Sequence, residues 1–278
     1  MIDQERSRIG NAAWTVDDIP YESVDPALMR DQTELFYIVA AASFVEITSD
    51  LYTRNLIEFY RGDEDIADWL GNYWEQEEVQ HGLALKRYVQ VAWPDFDWEK
   101  AYRAFFDEYS RVCLVDNLAE TRALEMVARC VVETGTSVFY RTLSEAAPEP
   151  VLKAITAKIS EDEVRHYKHF YHFFRHYRDQ DPPSKLAVLR QLWRRGAGVK
   201  AEDAYFAFKH VFLVANPDAS FTEEEYDRFR ASFRRIGRDA FPYTMAVKMI
   251  LKPLDLSPPV GRVAQPALEY TTRYLFSR

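Results

Sequence analysis

Residues Trp74-Glu75-Gln76-Glu77-Glu78-Val79-Gln80-His81-Gly82 place a glutamate, Glu78, three positions before a histidine, His81. The stretch Ile159-Ser160-Glu161-Asp162-Glu163-Val164-Arg165-His166 repeats the arrangement with Glu163 and His166. On an α-helix, residues three apart share a face, about one turn apart. A carboxylate and an imidazole placed this way can reach one metal ion. One Glu-x-x-His is a weak motif alone, so its neighbours along the chain decide its meaning.

Each copy follows a glutamate set in apolar surroundings. Glu46 lies in Phe36-Tyr-Ile-Val-Ala-Ala-Ala-Ser-Phe-Val-Glu-Ile47, and Glu133 in Met126-Val-Ala-Arg-Cys-Val-Val-Glu-Thr-Gly-Thr-Ser-Val-Phe139. A carboxylate in an apolar interior is costly and is normally paired or metal-bound. The chain order is therefore lone Glu46, Glu78 with His81, lone Glu133, Glu163 with His166. Two Glu-x-x-His helices and two helices with one inward Glu form the ligand set of a dinuclear iron or manganese site in a four-helix bundle. Carboxylate oxygens with neutral imidazole nitrogens suit iron or manganese. The four carboxylates offset two divalent ions, so the loaded site can enter an apolar interior. No thiolate set is present, which excludes zinc ribbons and iron–sulfur clusters. The competing reading is a metal-free bundle with solvated helix acids.

Composition fits a soluble all-α chain. Of 278 residues, 47% are hydrophobic and 28% charged, with 9 glycines. The two cysteines, Cys113 and Cys130, form no metal motif and suit a reducing, cytoplasmic setting. Cys130 reads as core. The polar N-terminus lacks a signal segment, and no apolar run of membrane-spanning length is expected. Net charge −9 argues against nucleic acid as a partner. Residues 1–183 carry 19 Lys and Arg against 34 Asp and Glu, and residues 184–278 carry 16 against 10, so the tail is basic on an acidic body. The basic clusters Arg190–Lys200 and Arg228–Arg238 are candidates for docking an acidic carrier protein; solvated helix faces are the plainer reading.

Three regions are expected: an N-terminal strap over residues 1–30, a metal-binding bundle over 31–183 and a helical extension over 184–278. Bundle helices are placed at about 31–60, 63–92, 97–112, 117–146 and 151–178, broken at Arg61-Gly62, Trp93-Pro94, Ala147-Pro-Glu-Pro150 and Asp181-Pro-Pro183. Tail helices are placed at about 185–195, 201–213, 222–235, 242–251 and 266–276. No stretch shows a strand period of any weight.

The flanks resemble the soluble acyl-acyl carrier protein desaturases, a branch of the ferritin-like di-iron carboxylate superfamily. That family shows Trp-x-x-Glu-Glu-x-x-His-Gly, matched by Trp74, Glu77, Glu78, His81 and Gly82. It shows Asp-Glu-x-Arg-His, matched by Asp162, Glu163, Arg165 and His166. It shows Glu-x-x-Thr on the fourth helix, matched by Glu133 and Thr136, and a Tyr six residues after the first lone Glu, matched by Tyr52. The likeness covers about residues 33–180. It implies a ferritin-like four-helix bundle with Glu78 and Glu163 bridging two irons (or manganese), and Glu46, His81, Glu133 and His166 each binding one. It implies Asp162 behind an imidazole, Trp74 with Asp162 on the route of electron entry, and Thr136 beside the oxygen-binding face. For Thr136 the plainer reading is a hydroxyl bonded back to its own helix, and for Trp74 it is packing. His169, His172 and His176 read as core or rim residues rather than ligands. N-oxygenase relatives place a further His where Ile159 stands, which counts against that branch. The spacing from Glu46 to Glu78 is shorter than in plant desaturases.

The leading reading is an oxygen-dependent di-iron oxidase that desaturates a carrier-bound fatty acyl chain, with O2 as co-substrate and a ferredoxin-type electron donor. A hydroxylase or N-oxygenase acting on a small or carrier-bound substrate uses the same ligands. A ferritin-like metal store is the alternative of another class. The resemblance implies a homodimer and acyl carrier protein as partner.

Overall fold

A computed structural model describes residues 13–113, 118–197 and 202–276. Every regular element among these residues is helical: α1 Thr33–Ile47, α2 Ser49–Phe59, α3 Glu64–Trp69, α4 Glu75–Ala92, α5 Trp98–Tyr109, α6 Arg122–Ala146, α7 Pro150–Gln180, α8 Lys185–Ala197, α9 Glu202–Ala215, α10 Glu223–Ala240, α11 Tyr243–Leu251 and α12 Pro258–Phe276. The all-α class expected from the sequence holds. The chain forms two compact units. The first contains described residues up to 113, with 147–155 and 202–231; the second contains 118–146, 156–197 and 232–276.

In the first unit, α1 packs against α4 and α9, and α9 packs against α5. Helix α1 buries residues around its whole girth, Leu35, Ile38, Val39, Ala41 and Phe44 among them. A helix that is apolar on all sides belongs inside a core. Asp97 starts α5 by accepting a hydrogen bond from Lys100 N at 3.0 Å. Trp98 then donates from Nε1 to Ser43 Oγ of α1 at 2.9 Å. Residues 13–30 bind along α4 and just beyond its end. Gln80 Nε2 donates to Trp14 O at 3.0 Å, Tyr21 OH to Ala84 O at 3.1 Å and Trp93 Nε1 to Met29 O at 3.2 Å. Residues 1–12 of the expected strap lie outside the described residues.

Helices α1 and α4 cross closely at Gly82. A Cβ built there would sit 2.5 Å from Ile47 N and 3.0 Å from Ile47 Cα. The contact is with backbone, which cannot rotate away. The glycine therefore sets how near the Glu46 segment comes to the Glu78–His81 turn.

In the second unit, α6 carries α8 and α11, and α12 packs on α11. Ser160 Oγ of α7 donates to Ser137 O of α6 at 2.8 Å, and Tyr167 OH donates to Met249 O of α11 at 2.6 Å. A buried ion pair joins Arg129 Nε to Glu125 Oε1 at 2.8 Å, and the second Glu125 oxygen accepts from Ala119 N at 2.7 Å. Its charge is compensated and hydrogen-bonded, as burial requires.

Several boundaries differ from the sequence expectation. The helix expected over 31–60 is broken at Thr48. Its Oγ1 bonds back to Phe44 O at 2.7 Å, and its N–H is shared between Phe44 O and Val45 O. A threonine hydroxyl competing for the i−4 carbonyl bends helices. Together Thr33–Phe59 is long and apolar enough to cross a membrane, contrary to expectation, but most of its apolar window is buried inside the protein. The helix expected over 63–92 contains a π-turn, Leu70–Trp74, between α3 and α4. Such single widened turns favour functional sites. The last helix begins at Pro258 rather than near Pro266, which sits inside it. One missing backbone donor at an exposed position is tolerated. The starts expected at Asn117 and Ala201, and the end of the cluster Arg190–Lys200, lie outside the described residues.

Gly82→Ala is expected to lower stability by about 1–3 kcal/mol, the usual cost of overpacking. Gly135→Ala, mid-helix with nothing within 4 Å of the added Cβ, is expected to raise it by about 0.5–1 kcal/mol. Urea unfolding of the metal-free chains measures both.

Candidate metal centre

Each unit holds one triad of two carboxylates and one imidazole, built the same way. In the first, Glu46 comes from the end of α1, and Glu78 and His81 from successive turns of α4. Their ligand atoms lie within 4.8 Å of one another, and all three residues are buried. His81 Nδ1 stands 3.8 Å from Glu46 Oε2 and 3.9 Å from Glu78 Oε2. In the second, Glu133 comes from α6, and Glu163 and His166 from successive turns of α7. His166 Nδ1 stands 3.7 Å from Glu133 Oε2 and 3.8 Å from Glu163 Oε2. All of these residues are also buried.

These separations are too long for N–H···O hydrogen bonds, which fall at 2.7–3.2 Å. They suit two atoms bound to one ion at about 2 Å each. Glu133 is wholly buried, and its Oε2 has no hydrogen-bond partner. A carboxylate left so is costly unless a cation completes it. Burial pushes the Glu133 carboxyl well above the usual carboxylate range. His166 opposes the rise and the Glu163 charge adds to it. The donor set and the orphaned oxygen both fit a divalent metal in each triad.

The surroundings of the triads differ. Trp14 lies parallel to His81, ring centroids 6.0 Å apart and planes 8° apart. Its place is fixed by the Gln80 bond to its carbonyl. In the other triad, Thr136 Oγ1 donates to Glu163 Oε2 at 2.7 Å, with Val132 O and Glu133 O farther off at 3.3 Å. A hydroxyl has one proton, and the short, charge-assisted bond takes it.

Among the other residues singled out in the sequence, Trp74 is buried at the end of the π-turn. Asp162 is buried and accepts from Arg165, one turn along. His169 is half-buried, and His172 and His176 are exposed. None of these three joins a group of potential ligands among the described residues. Cys130 is buried as expected. Trp14 was not legible in advance, because nothing in its local sequence marks it. Only the folding of the strap onto α4 brings it to His81.

With no metal bound, the proton on Glu133 is held more tightly in the folded than in the unfolded chain. The contribution of Glu133 to the stability of the metal-free protein is therefore fully present below the ordinary glutamate value of 4.5 and is lost as pH rises above it. Glu133→Gln is expected to flatten that part of the profile and raise neutral-pH stability of the metal-free chain. It should weaken ferrous-ion uptake by about tenfold or more. Thermal melts across pH, and metal titration at fixed pH, read the two effects separately.

The family model for fatty acid desaturases matches residues 56–229, well over half of the chain. The match starts beyond Glu46 and continues into the tail. Two curated relatives from Mycobacterium tuberculosis, strains CDC 1551 / Oshkosh and ATCC 25618 / H37Rv, carry the name acyl-acyl carrier protein desaturase DesA2. Each is 30% identical over 193 residues, covering 65% of this chain and 61% of the relative. The match thus spans about three fifths of the length of these relatives. The motifs around Glu78 and Glu163 and the extent of the family match agree, and the chain belongs to the fatty acid desaturase family, in the ferritin-like branch its motifs resemble.

Proposed function

We propose that the two triads together hold a dinuclear iron centre and that the protein desaturates a fatty acyl chain carried on acyl carrier protein. The observation that carries the reading is the paired triad geometry, a lone Glu facing a Glu-x-x-His turn in each unit. In this reading Glu46, Glu78, His81, Glu133, Glu163 and His166 would hold the metals, with Glu78 and Glu163 shared between them as the family resemblance implies. Manganese is the alternative ion.

Bound there, the metal pair supplies oxygen activation, the oxidising power that an unactivated methylene requires. The overall reaction takes two hydrogens from adjacent carbons, two electrons from an external donor of ferredoxin type and two protons from solvent, and O2 leaves as two waters. The chain's own residues do the positioning. Thr136 fixes the Glu163 carboxylate and keeps a transferable proton at Oγ1. Trp14 lies parallel to His81, and the apolar girth of α1 keeps water from Glu46. Asp162 and Trp74 are the residues expected on the electron route, and Trp14 beside His81 is a further aromatic candidate for it; Asp162, held by Arg165, stands beside Glu163 in the chain.

The test uses iron-loaded protein, a ferredoxin with its reductase, and a saturated acyl-acyl carrier protein. Loss of two hydrogens from the acyl chain is the expected outcome. Gain of one oxygen would mean a hydroxylase. Iron uptake far beyond two per chain, without turnover, would mean a metal store. Thr136→Val is expected to leave iron content unchanged and slow turnover by about tenfold, the cost of one lost charge-assisted hydrogen bond. Glu163→Ala is expected to lose both iron and activity.

A further inference from the structure

Helices α8 and α12 belong to the second unit, α8 packed on the site-bearing α6 and α12 on α11, and neither contributes to a triad. Among the described residues, the exposed large hydrophobics other than Leu28 and Leu83 all lie on these two helices. On α8 they are Leu186 at 74%, Leu189 at 51% and Trp193 at 73% exposed, in one row about 10 Å long. On α12 they are Val260, Val263, Tyr270 and Tyr274, spaced at helical intervals along about 21 Å. Val188, Gln191 and Leu192 form the buried face of α8, so the row is not the side it uses for its own core. The two helices start at one place. Lys185 Nζ donates to Asp255 O at 3.1 Å, in the turn that leads into α12.

The charge on α8 is of one sign. It carries Lys185, Arg190, Arg194 and Arg195 and no acid, in a chain of net charge −9. Lys185, Arg190 and Arg194 are exposed and alternate with the apolar row. Leucine and tryptophan beside lysine and arginine, with no acid, is the composition of a helix lying in a lipid headgroup layer. Arginine and lysine stems cover apolar surface while their charges reach outward, and tryptophan and tyrosine rings favour that interface. A second copy fits less well, because each copy would bring an acid-free cationic helix to the contact. An acidic protein would satisfy the charges, but the apolar rows on two helices exceed what a charge-led contact uses.

We propose that α8 and α12 form a peripheral docking surface for an anionic membrane. The unit would lie on the headgroups with Leu186, Trp193 and Val263 inserted and Lys185, Arg190 and Arg194 against phosphates. The proposal does not depend on the desaturase reading, since none of these residues enters a triad.

The test is co-sedimentation of the full chain with vesicles of equimolar phosphatidylglycerol and phosphatidylcholine, against vesicles of phosphatidylcholine alone. Binding to the anionic vesicles only, weakened by salt, is expected. Replacing Lys185, Arg190 and Arg194 together by Gln should weaken it roughly a hundredfold, about fivefold per charge. A second variant, Leu186→Ser with Trp193→Ser, should lose binding while keeping the circular dichroism and melting temperature of the parent. Turnover on a soluble carrier-bound substrate should be unchanged in the Leu186→Ser, Trp193→Ser variant. Equal sedimentation with both vesicle types, or none with either, overturns the proposal. So does a result in which the same substitutions halve the mass in solution, assigning the face to a second copy, or abolish affinity for acyl carrier protein while vesicle binding persists.

Discussion

Burying carboxylates is the constraint on which this structure depends. Glu46, Glu78, Glu133 and Glu163 are all inside the protein, on helices whose inward residues are mostly apolar. A buried charge without compensation costs several kcal/mol. Glu163 Oε2 accepts from Thr136 Oγ1, while Glu133 Oε2 has no hydrogen-bond partner. A divalent cation at the triads would offset the remaining penalty. Contrast Glu125, equally buried on α6, which is satisfied by Arg129 and by Ala119 N. One helix thus shows two treatments of a buried acid. Glu125 has both oxygens bonded by the protein, whereas Glu133 keeps one buried oxygen without a hydrogen bond.

Backbone proximity matters as much as ligand identity. A carboxylate from one helix can join a Glu-x-x-His turn on another only if the two axes come near enough. Gly82 allows this in the first unit by leaving no Cβ against Ile47, the residue after Glu46. In the second unit, the bond from Ser160 Oγ to Ser137 O holds α7 against α6 one turn from the ligands. Different devices reach the same spacing, so the similar distances in the two triads do not reflect identical packing.

The clustering of these glutamates and histidines was legible because a metal site demands particular residue types at a particular helical interval, and both survive in the linear sequence. The glutamates were legible for a related reason: an acid in an apolar run is conspicuous. What escaped notice depended on tertiary or local backbone choices. Thr48 breaks the first long helix by bonding to Phe44 O, yet a threonine in a helical pattern carries no fixed signal. The π-turn at Leu70–Trp74 leaves the apolar period almost unchanged. Trp14 reaches His81 from far along the chain, and no local pattern encodes that contact. The apolar rows on α8 and α12 were read only as helices, because periodicity shows that a face is apolar but not whether it faces the core.

The likeness of the triads sharpens the meaning of their differences. Their carboxylate and imidazole atoms are similarly spaced, so the asymmetry comes from what surrounds them. On one side an indole lies parallel to an imidazole, a neighbour with no hydroxyl proton to give. On the other a hydroxyl proton points at a carboxylate, a neighbour that can give a proton. The repeated motif makes the two triads alike, and the unrepeated residues around them make their surroundings differ.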